Sequence, residues 1–165
     1  MKYLRAIEPE DLDLMYIMEN DPLIASYSLS STPFSRYTLR QYIEQSKSDL
    51  FEDGQVRFTI MNPEGGEGCG FLDLTDFVPQ HRRAQVGIAL LPEVQGSGLA
   101  THALKEVAEY AAQQGLHQLY AFVMSTNLRA RSLFLRAGYE ATATLPGWFI
   151  QKNTPVDSIL FQHFL

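Results

Sequence analysis

The amino-acid sequence predicts an α/β (α+β) domain built on a mixed, mostly antiparallel sheet flanked by helices. Three observations carry that expectation. The chain has 165 residues, within the roughly 100–200 residues of one domain, and shows no repeat, low-complexity tract or linker, so 1–165 reads as a single domain. Apolar residues switch between a period of two and a period of 3.6 along the chain. The resulting order is β-α-α-β-β-β-α-β-α-β-β, with strands too interleaved with helices for two separate layers of one kind.

Taken in order, Tyr3 to Ala6 is a first strand. Pro9 opens a helix, as proline does in a first turn, that carries Leu12, Met15, Ile17 and Met18 to about Asn20. Asp21-Pro22 ends it. A second helix begins at Ser35 or Thr38 and reaches Ser48, with Leu39, Tyr42 and Ile43 on one side. Val56, Phe58 and Ile60 alternate as in a half-buried strand. The turn Asn62-Pro63-Glu64-Gly65-Gly66 returns the chain into a strand from Cys69 to Phe77, and Arg83 to Leu91 forms a third. The helix Gly98 to Gln114 places Ala100, Leu104, Val107, Ala108 and Ala111 on one face, and Gly115 suits the left-handed residue after it. Leu119 to Met124 is a strand, Leu128 to Ala137 a short helix ending at Gly138. Tyr139–Thr144, extended towards Phe149, and Val156–Phe164 close the sheet around the turn 151–155.

Composition narrows the function classes. Hydrophobic residues are 45% and charged residues 19%, ordinary for a globular chain. Thirteen basic and nineteen acidic residues leave a net charge of −6, a poor basis for nucleic-acid binding, which draws on Lys and Arg. No apolar run reaches the roughly 20 residues of a membrane span. One cysteine, Cys69, excludes an internal disulfide framework and a multi-cysteine zinc site. With no signal-peptide pattern, the expectation is a cytoplasmic protein. His102, His117 and His163 lack ligand spacing, so no metal is expected.

The most informative stretch is Gln95-Gly96-Ser97-Gly98-Leu99-Ala100-Thr101, between a strand and an amphipathic helix. The glycines let backbone approach a ligand, and the helix start offers free N–H groups and the positive end of the dipole, which suits a pyrophosphate. A dinucleotide fingerprint would want Gly or Ala where Thr101 stands, and a nucleotide P-loop would want a Lys that is absent. A plain glycine-rich connection stays open on spacing alone.

Gln95-x-x-Gly98-x-Ala100 resembles the Q/R-x-x-G-x-G/A signature of the GNAT superfamily of acyl-CoA N-acyltransferases. Asn127 to Tyr139 (NLRARSLFLRAGY) resembles that family's N-x-x-A/S-x-x-L-Y-x-x-x-G-F block. The element order agrees as well, so the resemblance spans nearly the whole chain. The stretch from His81 to Thr101 is most similar to the branch holding spermidine and ribosomal-protein N-acetyltransferases.

The resemblance implies acetyl transfer from acetyl-CoA to an amine, without a metal. It implies that Gln95, Gly96, Ser97, Gly98, Leu99, Ala100 and Thr101 hold the pyrophosphate. The strand residues Ile88, Ala89 and Leu90 would meet the pantetheine arm and the developing oxyanion. Asn127, Ala130 and Phe134 would flank the coenzyme. Arg129, Arg131 and Arg136 would meet its phosphates or form a solvated face.

Two departures bear on the chemistry. The family's general acid is a Tyr, and here the pair is Leu133-Phe134; Ser132, Tyr139 or a water stand as substitutes. Relatives often have Glu where Gln85 stands, leaving Asp73, Asp76, His81 and Glu93 as candidate bases. The spacing of Asp73 and Asp76 puts them on opposite faces of a strand. Ser132, Asp73 and Tyr139 are the catalytic candidates carried forward. The acceptor region falls on the first two helices, with Tyr27, Phe34, Tyr37 and Trp148 lining a pocket or belonging to the core. Asp49, Glu52 and Asp53 read as a solvated loop. Polyamine enzymes of this look carry acidic residues before a Pro where this chain has Ser30-Ser31-Thr32-Pro33.

The expected partners are therefore acetyl-CoA and a small primary amine or protein N-terminus, with the exposed final strands and helices suited to a homodimer. A polyamine N-acetyltransferase and a catalytically weak CoA-binding regulatory module are the alternatives.

Overall fold

Seven strands form one mixed sheet in the order β1-β2-β3-β4-β5-β7-β6. The computed structural model describes residues 1–25 and 33–165. The strands are β1 (Leu4–Ala6), β2 (Val56–Met61), β3 (Gly68–Val78), β4 (Arg83–Leu90), β5 (Gln118–Met124), β6 (Glu140–Gln151) and β7 (Thr154–Phe164). Every neighbouring pair is antiparallel except β4 and β5, which run parallel. The sheet class and the predicted order of strands and longer helices are as found, with two short helices added between β1 and β2.

The helices are α1 (Leu12–Glu19), α2 (Pro22–Ala25), α3 (Arg36–Gln45), α4 (Leu50–Asp53), α5 (Leu99–Gln113) and α6 (Leu128–Arg136). Two of them, α2 and α4, go beyond the sequence reading. The first helix ends before Asp21-Pro22 as expected, and Pro22 then starts a short helix of its own. Asp49 is a helix cap, not part of a solvated loop: its Oδ1 accepts from Phe51 N at 2.8 Å and Glu52 N at 3.0 Å. Four-residue helices hold no full period of 3.6, so no pattern announces them. Pro9 opens a 3-10 turn (Pro9–Asp11) that leads into α1.

The sheet buries both faces. One carries Leu4, Phe58, Leu72, Leu74, Val86 and Leu119 against Leu104, Val107 and Ala111 of α5 and Phe134 of α6. The other carries Ile7 and Phe71 against Met15 and Met18 of α1 and Leu39 and Ile43 of α3. Burying each such side chain contributes about 1.5–3 kcal/mol, which fixes where the helices sit. Ser35 Oγ caps α3 by accepting from Thr38 N at 3.0 Å.

Asp11 ties β1 to α1 from inside. It is 4% exposed and accepts from Arg5 Nη1 at 2.7 Å and Nη2 at 2.8 Å, from Thr59 Oγ1 at 2.7 Å and from Glu8 N at 2.9 Å. Burial pushes its carboxyl upward, but these donors outweigh burial and hold it below the usual carboxylate range. Among the described residues, no helix is long and apolar enough to cross a membrane.

Candidate active site

The parallel pair is where the sheet opens. β4 and β5 are in register at Arg83–Gln118, Ala84–Leu119 and Gln85–Tyr120, and no further. Beyond that point β4 stays paired with β3 as far as Leu90–Gly70, and β5 with β7 as far as Met124–Ser158. Each strand therefore keeps its outer neighbour while the two part from each other. The inner edges of Val86–Leu90 and Ala121–Met124 face a gap with backbone N–H and C=O groups that a neighbouring strand would otherwise take. Both strands run towards the wide end of the gap. Both lead into helices there, so the starts of α5 and α6 flank its mouth, the usual site of ligands on parallel strands.

The loop into α5 is shaped for an anion. Gly96 and Gly98 have φ +89° and +86°, and a Cβ on either would meet nothing within 4 Å. The N–H groups of Gly96, Ser97 and Gly98 make no hydrogen bond within the described protein, and no acidic residue stands in the first turn of α5. Together with the helix dipole, these groups could hold an anion such as a phosphate. Ser97 donates to Val94 O at 2.8 Å.

Gln95 braces the mouth with its side chain. Its Nε2 donates to Leu90 O at 2.8 Å, and its Oε1 accepts from Arg129 of α6. The side chain joins β4, the loop and α6. Asn127 Oδ1 caps α6 by accepting from Ala130 N at 3.0 Å, which leaves its Nδ2 to reach outward. Arg131 Nη1 donates to Ser125 O at 3.0 Å. The Leu99 side chain is buried, and Ala100 and Ile88 pack against the core, so these residues offer backbone to a ligand.

Across the sheet, on the α1 and α3 face, a second opening lies beneath the gap. Val86 and Leu90 point into the α5 core, so Gly87 and Ala89 face the other way. A Cβ on Gly87 would enter empty space. One wall is an ion-pair network: Arg57 donates to Asp73 at 2.6 Å and 2.9 Å and to Glu19 at 2.6 Å. Its guanidinium lies 5.5 Å from the Tyr42 ring and 5.2 Å from that of Phe71. Burial opposes the Arg57 charge, but Asp73 and Glu19 prevail and raise its pKa above the ordinary value.

The other wall is aromatic. Tyr120 meets Phe122 edge to face at 5.6 Å, and Phe122 stacks on Trp148 at 5.5 Å. Trp148 is 56% exposed. The Tyr120 hydroxyl donates to Asp76. Asp76 has φ +47° and sits in an irregularity of β3 between Thr75 and Val78. This corrects the expected opposition of Asp73 and Asp76. The irregularity breaks the alternation and turns both carboxylates to one face.

The catalytic candidates are scattered. Asp73 spends both carboxylate oxygens on Arg57. Ser132 is exposed on α6. Tyr139 is 2% exposed, its ring packed on Phe134 and His163, and burial raises its hydroxyl well above the ordinary tyrosine value. Phe134 stacks on Phe161 in the same core. His81 and Glu93 lie exposed in 3-10 turns. Tyr37 is 69% exposed, whereas Phe34 packs beside α1 and α3. Tyr27 and Ser30–Thr32 lie outside the described residues. Cys69 is buried, as expected of a strand cysteine, and donates to Ile60 O. Tyr120 was not among the sequence candidates, because it sits inside the apolar run 119–124.

Comparison with known proteins agrees with this geometry. Residues 3–140 match the family described as acetyltransferase (GNAT) domain. The chain is 27% identical over 164 residues to spermidine N(1)-acetyltransferase of Escherichia coli, covering 97% of this chain and 86% of that one. A crystal structure of spermidine N-acetyltransferase from Vibrio cholerae with CoA and spermine superposes with a TM-score of 0.86 at 24% identity, covering 98% and 94%. A ribosomal-protein alanine acetyltransferase from Vibrio fischeri gives 0.84 at 18% identity, covering 99% and 93%.

Proposed function

The chain belongs to the acetyltransferase (GNAT) domain family, and on that premise we propose that it transfers the acetyl group of acetyl-CoA to a primary amine at the gap between β4 and β5, releasing CoA. The observation that carries the proposal is the parting of the strands after Gln85 and Tyr120. It supplies a slot with unpaired backbone on both sides, a phosphate cradle at its mouth and an open acceptor face beneath it. Acetyl-CoA supplies an activated acetyl thioester when bound.

The cradle fits that donor. Gly96, Ser97 and Gly98 would give N–H groups to the pyrophosphate, and the α5 dipole would favour its charge. The inner edge of Ile88–Leu90 would pair with the amide arm as a strand would. Gln95 spends its side chain on Leu90 O, so this carbonyl is already satisfied. Asn127 Nδ2 would reach the arm from α6. An N–H of β4 facing the gap would meet the acyl oxygen as charge develops there, the interaction that dominates acyl transfer.

The amine would approach over Gly87. With Asp73 and Glu19 both claimed by Arg57, that wall would position the amine. Among the described candidates none serves the leaving sulfur as an acid, since the Phe134 ring has no acidic proton, Ser132 faces solvent and Tyr139 is sealed in the core. A thiol pKa of about 8.5 lets it depart as thiolate. Spermidine is one acceptor to test, given the relatives. A protein N-terminus is another.

The test is CoA release from acetyl-CoA, read with a thiol reagent, across polyamines, amino acids and N-terminal Ser or Ala peptides. Acceptor-dependent release is expected. A melting temperature raised by acetyl-CoA without release would favour the binding-module alternative. Absence of both release and stabilisation would refute the coenzyme assignment.

A further inference from the structure

We propose that Tyr120 and Asp76 form the relay that removes the proton from the attacking amine. The inference rests on the acceptor crossing the Gly87 face, as set out above, and adds to it the group that the amine meets.

Position is the first reason. Gln85–Tyr120 is the last pair before β4 and β5 part, so Tyr120 stands at the apex of the gap. Leu119 and Ala121 point into the α5 core, so the Tyr120 ring lies on the acceptor face. Its register partner Gln85 carries an amide, which is no base.

The direction of the hydrogen bond is the second. A carboxylate only accepts, so Tyr120 donates to Asp76. Arg83 donates to the hydroxyl oxygen as well, and the lone pair that remains is open to accept an N–H. This orientation suits the amine and not the sulfur, which needs a donor. Burial first, and Asp76 second, push the Tyr120 hydroxyl up to about 12. It therefore stays protonated and passes a proton on instead of losing one.

The exit is the third. Tyr120 is 7% exposed, whereas Asp76 is exposed and can return a proton to water. A non-glycine residue at φ +47° is uncommon and clusters at functional sites. Here it aims the carboxylate at the hydroxyl. The charged or titratable groups facing the Tyr120 ring are Asp76 from β3 and Arg83 from β4, the latter 5.9 Å from the ring centre. The β7 neighbour, Gln162, is neither.

The step balances. The neutral amine attacks the acyl carbon, the C–N bond forms, and the C–S bond breaks with its electron pair leaving on sulfur. One N–H proton passes to the Tyr120 oxygen while the Tyr120 proton passes to Asp76, which releases it to solvent. Tyr120 touches the amine, and Asp76 acts through it.

The experiment compares wild type, Tyr120→Phe, Asp76→Asn, Asp76→Glu and the Phe/Asn double variant. CoA release is measured from pH 6 to 9.5 with the acceptors named above, alongside melting with and without acetyl-CoA. Both single variants should melt normally and keep their acetyl-CoA stabilisation. Their kcat should fall roughly 100-fold near neutrality, the lower end for general base catalysis, and recover as pH rises. Asp76→Glu should restore part of the rate, and the double variant should be no slower than either single one. Folded Tyr120→Phe and Asp76→Asn proteins within about threefold of wild type, with its pH profile, would overturn the relay alone. A wild type that releases no CoA with any amine would overturn the proposed function, and the relay with it.

Discussion

Replacing Gly87 with Val separates the acceptor face from the fold. Gly87 pairs with Asp73 across β3 and β4, and a Cβ there meets no atom within 4 Å. Its backbone is not in the left-handed region. Glycine within a strand costs roughly 0.5–1 kcal/mol relative to alanine, and valine suits a strand better still on a scale spanning about 1 kcal/mol. The variant should therefore be at least as stable as wild type, with Tm raised by roughly 2–4 °C per kcal/mol gained. Its isopropyl group would stand where the amine must pass. Displacing a reactant by about 1 Å can cost about 100-fold. That is about 2.7 kcal/mol of barrier, so kcat/KM for CoA release should fall by that order while acetyl-CoA still stabilises the protein. Gly70 is the contrast: a Cβ there would overlap the Ala89 carbonyl and lie 2.6 Å from Leu90 Cδ2, so Gly70→Ala should lower Tm. An unchanged kcat/KM for Gly87→Val would refute approach over this face, and a lowered Tm would refute the empty space.

Other measurements probe separate parts of the molecule. Asp11→Asn should cost about 2 kcal/mol at pH 7, the scale of a hydrogen bond to a charged group, seen in urea unfolding. The Asp11 pKa is held low in the folded protein. Its contribution is therefore complete above the unfolded carboxylate value of about 3.9 and is lost as pH falls through the folded value. The variant's stability should accordingly drop less between pH 5 and 2. Gly98→Ala, at φ +86°, should strain the cradle by about 1–2 kcal/mol and weaken acetyl-CoA stabilisation more than it lowers Tm. The Cys69 thiol, pushed up to about 11 by burial and then by Glu67, should not react with a thiol reagent in the native protein and should react after denaturation. Fast labelling of native protein would contradict its burial.

Much of the proposed coenzyme side was legible in the sequence. Gly96 and Gly98 flank a serine just before a helical period, and turn chemistry and helix starts are local properties. The acceptor side was less legible. Tyr120 reads as one more apolar residue of a strand, and Asp76 as one that should turn away from Asp73. Nothing local distinguishes a core tyrosine from one at the end of a strand pairing. Gln95 was legible as part of the motif but not as the brace between β4 and α6, because Arg129 lies 34 residues further on.

By itself, the sequence determined the strands and longer helices, their order, the glycines before α5 and the absence of the expected acid and base at Phe134 and Gln85. Each depends on side-chain period, backbone freedom or side-chain chemistry within a few residues. Only the tertiary structure decided that β5 would lie beside β4 and part from it after Tyr120, that Arg57 would claim Asp73, and that Asp76 would reach the Tyr120 hydroxyl. Those outcomes depend on which strands become neighbours and how far they stay paired. Packing of α5 and α6 on one face, and of α1 and α3 on the other, sets both across the whole chain.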